Sequence, residues 1–387
     1  MLTLHVLPEG ETLQPDGRGA IGRWVAEVVP LSGTRHVVLQ GRGFQPGEGA
    51  RYFVGHRLLT RVWRAGGRKS RLGLLVAGPL VVAFNLARLP WRDVDVIQVH
   101  NRPTYLLGLR ILSRLKRRRP LLVLHLQNDH LAGWSAAVLR RVAACADLII
   151  TCSAHLRDTV RTQVTGDVEV VYNGTVLPSR TEPRRSSGPR VVLTYVGRMV
   201  PEKGVHVLLE AFERLTAEGA PAELHLIGGA TFSNEPSPYW EELRARSAGR
   251  EDIVWHGYQP SAVVEAHLHA SDVLVCPSVW AEPFGMVIVE GMAHGNCLVA
   301  SRTGGIPEIV EDEVTGLLVE PGDVEALTAA LGRVVWDPAL RARLASAGEA
   351  AARARFSWPQ IAESYDRTIR LALGKAAPTA SARVEAG

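Results

Sequence analysis

Apolar residues along the chain are grouped in short continuous runs, and segments of helical period separate these runs. The runs lie at positions 2–7, 35–40, 95–100, 121–126, 148–152 and 169–172 in the first half, and at 190–196, 222–227, 253–255, 273–277, 297–301 and 316–319 in the second. Continuous Val, Ile and Leu strands that alternate with helices are typical of parallel sheets covered on both faces. The pattern predicts an α/β protein with two doubly wound, Rossmann-like domains that face each other across a cleft.

Breaks in this pattern predict the domain boundaries. Residues 179–189 are rich in Pro, Ser and Arg and have no apolar period, which is typical of a linker. We expect an N-terminal domain at 1–178, a C-terminal domain at 190–355, an amphipathic helix at 356–373 and a flexible tail at 374–387.

Composition excludes several classes of protein. Of the 387 residues, 46% are apolar and 21% are charged, so the chain is neither disordered, collagen-like nor stapled by disulfides. Its four cysteines form no C-x-x-C pair and are predicted to be small buried residues in a reducing cytosol. The first residues lack the basic region of a signal peptide, and the longest apolar run, 72–84, is shorter than the ~20 residues of a membrane span. We expect a soluble, cytoplasmic protein.

Charge is divided unequally between the two halves. Residues 1–178 contain 24 Lys and Arg against 12 Asp and Glu, whereas the remainder contains 20 against 27. The basic half includes an arginine-rich stretch at 52–89 that is predicted to be helical, and its charge suits an anionic partner such as a membrane surface or a phosphorylated substrate. The basic tract 116–119 has no interleaved aromatic residues, which argues against nucleic acid. It fits either a solvated helix end or a contact with a membrane.

Gly17, Gly19 and Gly22 satisfy the G-x-G-x-x-G pattern of dinucleotide-binding loops. In that motif the loop follows the first strand tightly and a carboxylate ends the second strand, and this chain has neither feature. The glycines fit a plain turn, or a loop whose bare backbone approaches a phosphate or a sugar at a helix start. Asp93 and Asp95 have the D-x-D spacing of a metal-binding pair. They precede a strand, opposite the ligand edge of a parallel sheet, and are expected to be solvated.

Two histidines end neighbouring predicted strands of the first half. Polar residues follow both of them: Asn101 and Arg102 come after His100, and Asn128 comes shortly after His125. Ligands bind at the carboxyl ends of parallel strands. Although most lone histidines are structural, this placement predicts a functional role for at least one of the two.

Two segments of the second half suit a phosphorylated, hydroxylated ligand. Arg198 and Lys203 follow a strand that ends in glycine and precede a helix, so they are placed to neutralise a diphosphate. Glu282 and Glu290 flank the Pro-Phe-Gly start of another helix, where carboxylates can accept hydrogen bonds from sugar hydroxyls and the first amides have no intrahelical partner. A further glycine-rich turn at 304–308 follows the strand 297–301.

These segments resemble the retaining glycosyltransferases of family 4, which have the GT-B fold. The resemblance rests on Y-V-G-R at 195–198, P-E-K-G at 201–204, C-P-S at 276–278, E-P-F-G at 282–285 with Glu290, and G-G-I-P-E at 304–308. In the N-terminal half, H-N-R-P at 100–103 and L-H-L-Q-N-D at 124–129 resemble the bacterial branch that includes spore coat protein SA. The resemblance covers nearly the whole chain and is weakest across 40–93.

The resemblance implies a role for each matching residue. Arg198 and Lys203 would bind the diphosphate of a nucleotide sugar, Glu290 the ribose, and Glu282 the sugar hydroxyls, while the last helix would cross back to the N-terminal domain. The implied catalytic residues are His125, Arg198, Lys203 and Glu282. The implied donor-binding residues are Gly19, Gly22, Gly197, Arg198, Lys203, Tyr258, Glu282, Phe284, Gly285, Met286, Val287 and Glu290. The implied acceptor-side residues are His100, Asn101, Arg102 and Asn128.

A mechanism follows from the same resemblance. Fixed cations would stabilise the departing diphosphate, so we expect no metal, no other cofactor and no covalent carboxylate intermediate. The expected reaction moves a hexose or N-acetylhexosamine, with a UDP-sugar favoured as donor, to a hydroxyl of a glycan, a lipid-linked sugar or a small molecule such as an aminoglycoside. The enzyme would be a monomer or homodimer, cytoplasmic or peripheral at the inner face of the membrane. Two alternatives stay open: a UDP-sugar epimerase of the same fold, and a non-catalytic protein that binds sugar nucleotides.

Overall fold

The computed structural model describes residues 1–8, 19–40, 52–54, 93–114, 116, 118–178, 188–230 and 237–376. The chain forms two compact units. The N-terminal unit comprises Met1–Tyr172 together with Pro359–Gly387, and the C-terminal unit comprises Asn173–Trp358. Most of the predicted linker, the predicted tail from 377 onward and the predicted helical stretch from 55 to 89 lie outside the described residues.

The N-terminal unit is built on a seven-stranded parallel sheet with the strand order β3-β2-β1-β4-β5-β6-β7. Its strands are β1 (Leu2–Val6), β2 (Arg35–Gln40), β3 (Tyr52–Val54), β4 (Val96–His100), β5 (Leu121–Leu126), β6 (Leu148–Thr151) and β7 (Val168–Val170). Its described helices are α1 (Ala20–Leu31), α2 (Tyr105–Ser113), α3 (Ala136–Ala143) and α4 (Ala154–Gln163). Every residue of β1, β4, β5 and β6 is buried, as continuous apolar strands require when both faces of a sheet are covered.

The C-terminal unit repeats this architecture with a six-stranded parallel sheet in the order β10-β9-β8-β11-β12-β13. Its strands are β8 (Val191–Val196), β9 (Ala222–Ile227), β10 (Ile253–Gly257), β11 (Val273–Cys276), β12 (Cys297–Ser301) and β13 (Leu317–Val319). Its helices are α5 (Val205–Ala217), α6 (Pro238–Arg246), α7 (Ser261–Ala270), α8 (Met286–Ala293), α9 (Ile306–Ile309), α10 (Val324–Trp336) and α11 (Pro338–Arg355). Because β8, β11 and β12 are neighbours in a parallel sheet, the loops that follow them lie at the same edge.

The last helix, α12 (Trp358–Ala376), belongs to the N-terminal unit apart from its first residue. The Asp366 carboxylate accepts hydrogen bonds from the Ser32 hydroxyl at 2.5 Å and the Gly33 amide at 3.0 Å. The Tyr365 hydroxyl donates to the Gln98 side-chain oxygen at 2.7 Å. Buried polar bonds of this kind hold the helix in one position against the sheet.

The structure corrects several expectations about secondary structure. The 18-residue helix α11 lies within the predicted C-terminal domain, at a place where the apolar pattern predicts no helix. Its start carries recognisable signals, since Pro338 occupies the first turn and the Asp337 carboxylate accepts from the amides of Ala339 and Leu340. Its Ala-rich body has little contrast between polar and apolar faces, and the periodicity misses it. Residues 52–54, at the start of the stretch predicted to be helical, form a strand, and helix α2 ends at Ser113, before the basic tract 116–119.

Within the described ranges, no helix is long and apolar enough to span a membrane.

Candidate active site

The loop after β8 begins with a glycine that the local geometry requires. A Cβ on Gly197 would lie 2.7 Å from the Tyr195 hydroxyl, which itself donates to the Arg198 carbonyl at 2.8 Å. On the neighbouring strand, Gly228 has φ +139° and a Cβ there would lie 1.7 Å from the Gly197 carbonyl oxygen. The two strand ends therefore meet backbone against backbone, and the Arg198 side chain extends from this turn into solvent.

A second glycine joins this loop to the loop after β11. Lys203 ends a short 3-10 turn, and Gly204 follows with φ +69°. A Cβ on Gly204 would lie 1.9 Å from the Pro277 carbonyl oxygen, and the Val279 amide donates to the Glu202 carbonyl at 3.0 Å. The close approach of the two backbones places the Lys203 side chain beside the segment that contains Glu282.

Lys203 and Glu282 form an ion pair where these loops meet. The Lys203 ammonium contacts Glu282 Oε1, and the Ser278 hydroxyl donates to the same oxygen at 2.7 Å. The ammonium also lies 5.6 Å from the centroid of the Trp280 ring. Glu282 is only 7% exposed. A carboxylate this buried needs such partners, because an unpaired buried charge is strongly unfavourable.

The loop after β12 contacts the backbone of Glu282. Gly304 has φ +56°, and a Cβ there would lie 2.1 Å from the Glu282 carbonyl oxygen. The neighbouring Gly305 amide donates to the same carbonyl at 2.7 Å. Glu282 is thus held through its side chain by the loop after β8 and through its backbone by the loop after β12. The structure brings together three motifs that are far apart in the sequence.

Helix α8 begins at Met286, three residues beyond Pro283, which follows Glu282. Its N-cap, Gly285, has φ +101°, which glycine adopts readily, and Phe284 is buried against Phe356 with ring centroids 6.0 Å apart. Met286 and Val287 lie in the first turn, where amides have no intrahelical partner. Glu290 lies one turn further along and is half-buried.

The remaining predicted donor residues are more scattered. Tyr258 is half-buried and follows Gly257, which ends β10 with φ +68°. In the N-terminal unit, Gly19 is the N-cap of α1 and Gly22 is buried within that helix, while Gly17 lies outside the described residues. The helix therefore starts inside the G-x-G-x-x-G pattern.

The one thiol at the end of β11 is not a nucleophile. Burial raises the pKa of Cys276 to about 12, and the nearby carboxylate of Glu282 adds to this effect. Burial likewise raises the pKa of Tyr195 well above its ordinary value. Both side chains stay neutral at physiological pH, so the charge at this site is carried by lysine, arginine and carboxylates.

In the N-terminal unit, the predicted histidines belong to a buried network. His125 Nδ1 lies 3.1 Å and His125 Nε2 3.0 Å from the side-chain nitrogens of Gln98 and Gln127, respectively. His100 Nε2 lies 3.1 Å from His5 Nδ1 and 3.4 Å from the Gln98 nitrogen. Both His100 and His125 are fully buried. For His125 to contact a sugar, its Nε2 would have to give up the contact with the Gln127 side chain and bond to the sugar in its place.

The network extends beyond the residues that the sequence singled out. His5 Nε2 lies 2.9 Å from His36 Nδ1, and the Trp24 ring packs edge-on against His125 with centroids 4.6 Å apart. Sequence reasoning missed His5, His36, Gln98 and Tyr365. A polar residue inside an otherwise apolar strand, as at His5 in L-T-L-H-V, is the signal that marks such positions.

These imidazoles are neutral. Burial lowers the pKa of His125 to about 3 and that of His36 to about 4. The pKa values of His5 and His100 are also lowered well below normal, first by burial and then by the neighbouring histidines.

The acceptor-side candidates follow β4 and β5. Asn101 is buried with φ +48°, and its side-chain oxygen accepts from the Gln127 amide at 2.8 Å, so it ties the two loops together. Arg102 donates to the Asn101 carbonyl at 3.1 Å, and Asn128 is exposed. At the opposite end of β4, Asp95 accepts from the Leu2 amide at 2.8 Å.

Comparison with known protein families matches both halves of the chain. Residues 28–177 match Glycosyltransferase Family 4, and residues 179–351 match Glycosyl transferases group 1. Glycogen synthase of Mycobacterium tuberculosis is 33% identical over 246 residues, which cover 60% of this chain and 58% of that enzyme. The α-D-kanosaminyltransferase of Streptomyces kanamyceticus is 28% identical over 275 residues, covering 68% of this chain and 66% of the relative. The match with the glycogen synthase thus spans less than two thirds of that enzyme.

Solved structures show the same fold. Anabaena HepE, crystallised with UDP and glucose, superposes with a TM-score of 0.70 at 23% identity, covering 95% of this chain and 99% of HepE. The resemblance of 100–103 and 124–129 to the spore coat protein SA branch stays a prediction. Family matches across both halves and a shared two-unit α/β architecture lead to one assignment: the chain belongs to the family 4 glycosyltransferases of the GT-B fold.

Proposed function

We propose that the protein is a retaining glycosyltransferase that moves a hexose or N-acetylhexosamine from a nucleotide-diphosphate sugar to an acceptor hydroxyl without a metal ion. The observation that carries this proposal is the meeting of three strand-end loops at Glu282, with Lys203 paired to its carboxylate. Such a meeting places a cation, a carboxylate and a helix start within one small region.

Charge development during transfer explains the role of the cations. Breaking the anomeric bond leaves negative charge on the departing diphosphate and positive charge on the sugar. Lys203, paired with Glu282, and the first amides of α8 are fixed before the reaction, so little reorganisation is needed when the charge forms, and Arg198 adds a second cation from the loop after β8. These groups supply the stabilisation that a divalent cation provides in other transferases, which is why we propose metal independence.

Glu282 is proposed to bind the sugar hydroxyls. The Ser278 and Lys203 contacts hold one carboxylate oxygen and leave hydrogen-bonding capacity on the other. Glu290, on α8, is proposed to bind the ribose. Its distance along the helix from the start of α8 separates the ribose subsite from the sugar subsite.

The proposed reaction has no covalent enzyme intermediate. The acceptor oxygen bonds to the anomeric carbon on the face from which the diphosphate leaves, and its proton passes to a diphosphate oxygen. The neutral thiol of Cys276 is unsuited to nucleophilic attack. His125 is proposed to lie beside the transferred sugar, and Asn101, Arg102 and Asn128 on the acceptor side.

Relatives support the choice of donor and acceptor. HepE is crystallised with UDP and glucose, which favours a UDP-sugar as donor. Similarity to the α-D-kanosaminyltransferase supports a specialised metabolite such as an aminoglycoside as acceptor, and the basic N-terminal half supports an anionic glycan or lipid-linked sugar. We propose a cytoplasmic enzyme, monomeric or dimeric, that can bind peripherally to an anionic membrane surface.

Calorimetric titration tests the donor site. UDP, GDP, ADP and NAD are titrated, without metal, into the wild type and Glu290→Ala. We expect one nucleoside diphosphate to bind with micromolar affinity and the variant to lose this binding. Glu325→Ala, which removes an exposed carboxylate on α10, serves as the matched control and should bind like the wild type. Binding of NAD, or unchanged binding to Glu290→Ala, would contradict the proposal.

Release of UDP from a UDP-sugar distinguishes transfer from the alternatives. A transferase releases UDP in proportion to the acceptor supplied, an epimerase converts the sugar without an acceptor, and a binding protein does neither. The initial rate should be the same with and without EDTA. A rate that collapses in EDTA and returns with a divalent cation would refute metal independence.

A further inference from the structure

Three histidines of the C-terminal unit lie together, and none of them belongs to the donor site described above. His225 is on β9, His256 on the edge strand β10 and His267 on helix α7. One ring nitrogen of each lies within 4.8 Å of those of the other two. All three residues are half-buried, so the cluster is neither sealed in the core nor fully solvated.

The register of the sheet creates this arrangement. Leu224 and Leu226 of β9 face the apolar core, so the intervening His225 faces the opposite side of the sheet, as does Glu223. The pairing of β9 and β10 is irregular between Trp255 and Gly257, which makes His256 the extra residue. Bulges redirect side chains in this way.

Distances within the cluster suit metal coordination. His256 Nε2 lies 3.1 Å from His225 Nδ1, and the rings of His256 and His267 have centroids 4.2 Å apart. Zinc binds imidazole nitrogen at 2.0–2.1 Å with tetrahedral geometry, which places two such nitrogens about 3.3 Å apart. The observed separation is close to that value.

The Glu223 carboxylate contacts the ring nitrogen of His225 that does not face the cluster. Glu223 Oε1 lies 3.3 Å from His225 Nε2, the nitrogen that faces away from His256. Metal-binding histidines usually donate their second N–H to a carboxylate or carbonyl, which fixes the tautomer and the ring orientation. With Nε2–H directed to Glu223, His225 presents the lone pair of Nδ1 to the cluster.

Simple hydrogen bonding accounts for only part of the cluster. One hydrogen bond would satisfy the facing nitrogens of His225 and His256, yet His267 has ring contacts with both histidines and no hydrogen bond within the described residues.

We propose that His225, His256 and His267 form a binding site for a divalent transition metal of the zinc class, with Glu223 orienting His225 and water completing the coordination. The metal joins the edge strand β10 and helix α7 to β9. Its role is structural, and it takes no part in the proposed transfer reaction.

Metal titration of the untagged full-length chain tests this site. The protein is freed of metal with EDTA and transferred to chelator-free buffer, and ZnCl2 is added in a calorimeter. We expect one Zn²⁺ per chain, a higher unfolding temperature with Zn²⁺, and the visible absorption of tetrahedral Co²⁺ when cobalt replaces zinc. His267→Gln should lose all three effects.

His269→Gln is the matched control, because it removes a histidine from the same helix but outside the cluster. It should bind Zn²⁺ like the wild type. Glu223→Gln should weaken binding by about 10- to 100-fold. Should His267→Gln fail to fold, as judged by circular dichroism, His256→Gln and Glu223→Gln decide the question.

Absence of Zn²⁺ binding to the wild type, or wild-type affinity in the cluster variants, would overturn the proposal. UDP titration of the same metal-free sample tests the proposed transferase function separately. Failure of one proposal therefore leaves the other intact.

Discussion

Apart from the additional edge strand β7 of the N-terminal unit, the two sheets share one strand order, but they differ in the residues at the ends of their central strands. In the N-terminal unit, His5, His100 and His125 turn inward and bond to one another or to glutamines, out of contact with solvent. In the C-terminal unit, bare glycine backbone follows β8 and β9 at Gly197 and Gly228, and the nearby polar chemistry is an ion pair between Lys203 and Glu282. The same topology thus supports a sealed polar network in one unit and a reachable charged site in the other.

Residue type at the strand end accounts for this difference. An imidazole placed on a covered sheet face must find neutral partners, because charging it in a buried position is unfavourable. A glycine at the strand end removes the side chain and lets neighbouring loops approach, so that a charged group supplied from the next loop lies near the surface.

Replacing Lys203 with alanine should produce the largest effect, because it removes the positive charge of the ion pair in the C-terminal unit. The change removes a preorganised cation and leaves the buried Glu282 carboxylate without its ion-pair partner. We expect transfer to fall by about 10²- to 10³-fold, measured as UDP release under saturating donor. Lys375→Ala, which removes an exposed lysine paired with Asp167 at 3.0 Å, should leave the rate unchanged. Equal rates for the two variants would show that Lys203 has no electrostatic role.

Lowering the pH should destabilise the N-terminal unit through its histidine network. The folded-state pKa of His36 is about 4 whereas the unfolded value is near 6.5, so the unfolded chain takes up protons first as the pH falls. The contribution of His36 to the free energy of unfolding is fully present above pH 6.5. It is lost as the pH falls from there to about 4, and its size is roughly 3 kcal/mol. Pulsed hydrogen exchange across a urea series, read by peptide mass spectrometry, reports each unit separately.

Because the unfolded chain takes up protons first, we expect peptides from 93–163 to lose protection against exchange at a lower urea concentration at pH 5 than at pH 7.5. His36→Gln should reduce this pH dependence because one of the titrating groups is gone. A pH-independent midpoint for the N-terminal unit would contradict the buried, neutral state of the network.

Gly204→Ala should destabilise the C-terminal unit, because Gly204 lets two loops meet. The new Cβ would lie 1.9 Å from the Pro277 carbonyl oxygen in a backbone of φ +69°. We expect a loss of about 2–3 kcal/mol in the free energy of unfolding from left-handed strain and overpacking together. Gly219→Ala isolates the strain, since Gly219 has φ +81° and nothing within 4 Å of its would-be Cβ. A Gly204 variant no less stable than the Gly219 variant would show that the loops separate without penalty.

Tyr365→Phe should have the smallest effect, and it tests one hydrogen bond of the buried network in the N-terminal unit. It removes the hydroxyl that donates to Gln98 at 2.7 Å and leaves a buried side-chain oxygen without that donor. The expected cost is about 1–2 kcal/mol in the free energy of unfolding of the N-terminal unit, measured by the same exchange experiment. A neutral substitution would indicate that Gln98 finds another donor.

Much of the fold was accessible from the amino-acid pattern. Continuous apolar runs at β4, β5, β8, β11 and β12 predict buried parallel strands, because such runs can only be covered on both faces. The apolar periodicity did not predict helix α11, because its many alanines and arginines give little contrast between a polar and an apolar face. Asp337 and Pro338 nevertheless mark its start.

The motifs of the proposed donor site stand out in the sequence, because they consist of glycines at strand ends and charged residues beside helix starts. The family resemblance implied that Lys203 and Glu282 serve one site. It did not predict that they contact each other, since that contact depends on Gly204 and Gly304 bringing three loops together.

By itself, the sequence determined the α/β class, the two-unit organisation and the residue types at each strand end, since these follow from local periodicity and composition. Only the tertiary structure decided which polar residues meet. The partners in the His5–His100–His125 network and in the His225, His256 and His267 cluster come from separate strands and, for His267, a helix. Strand order and register, and not distance along the chain, set which side chains become neighbours.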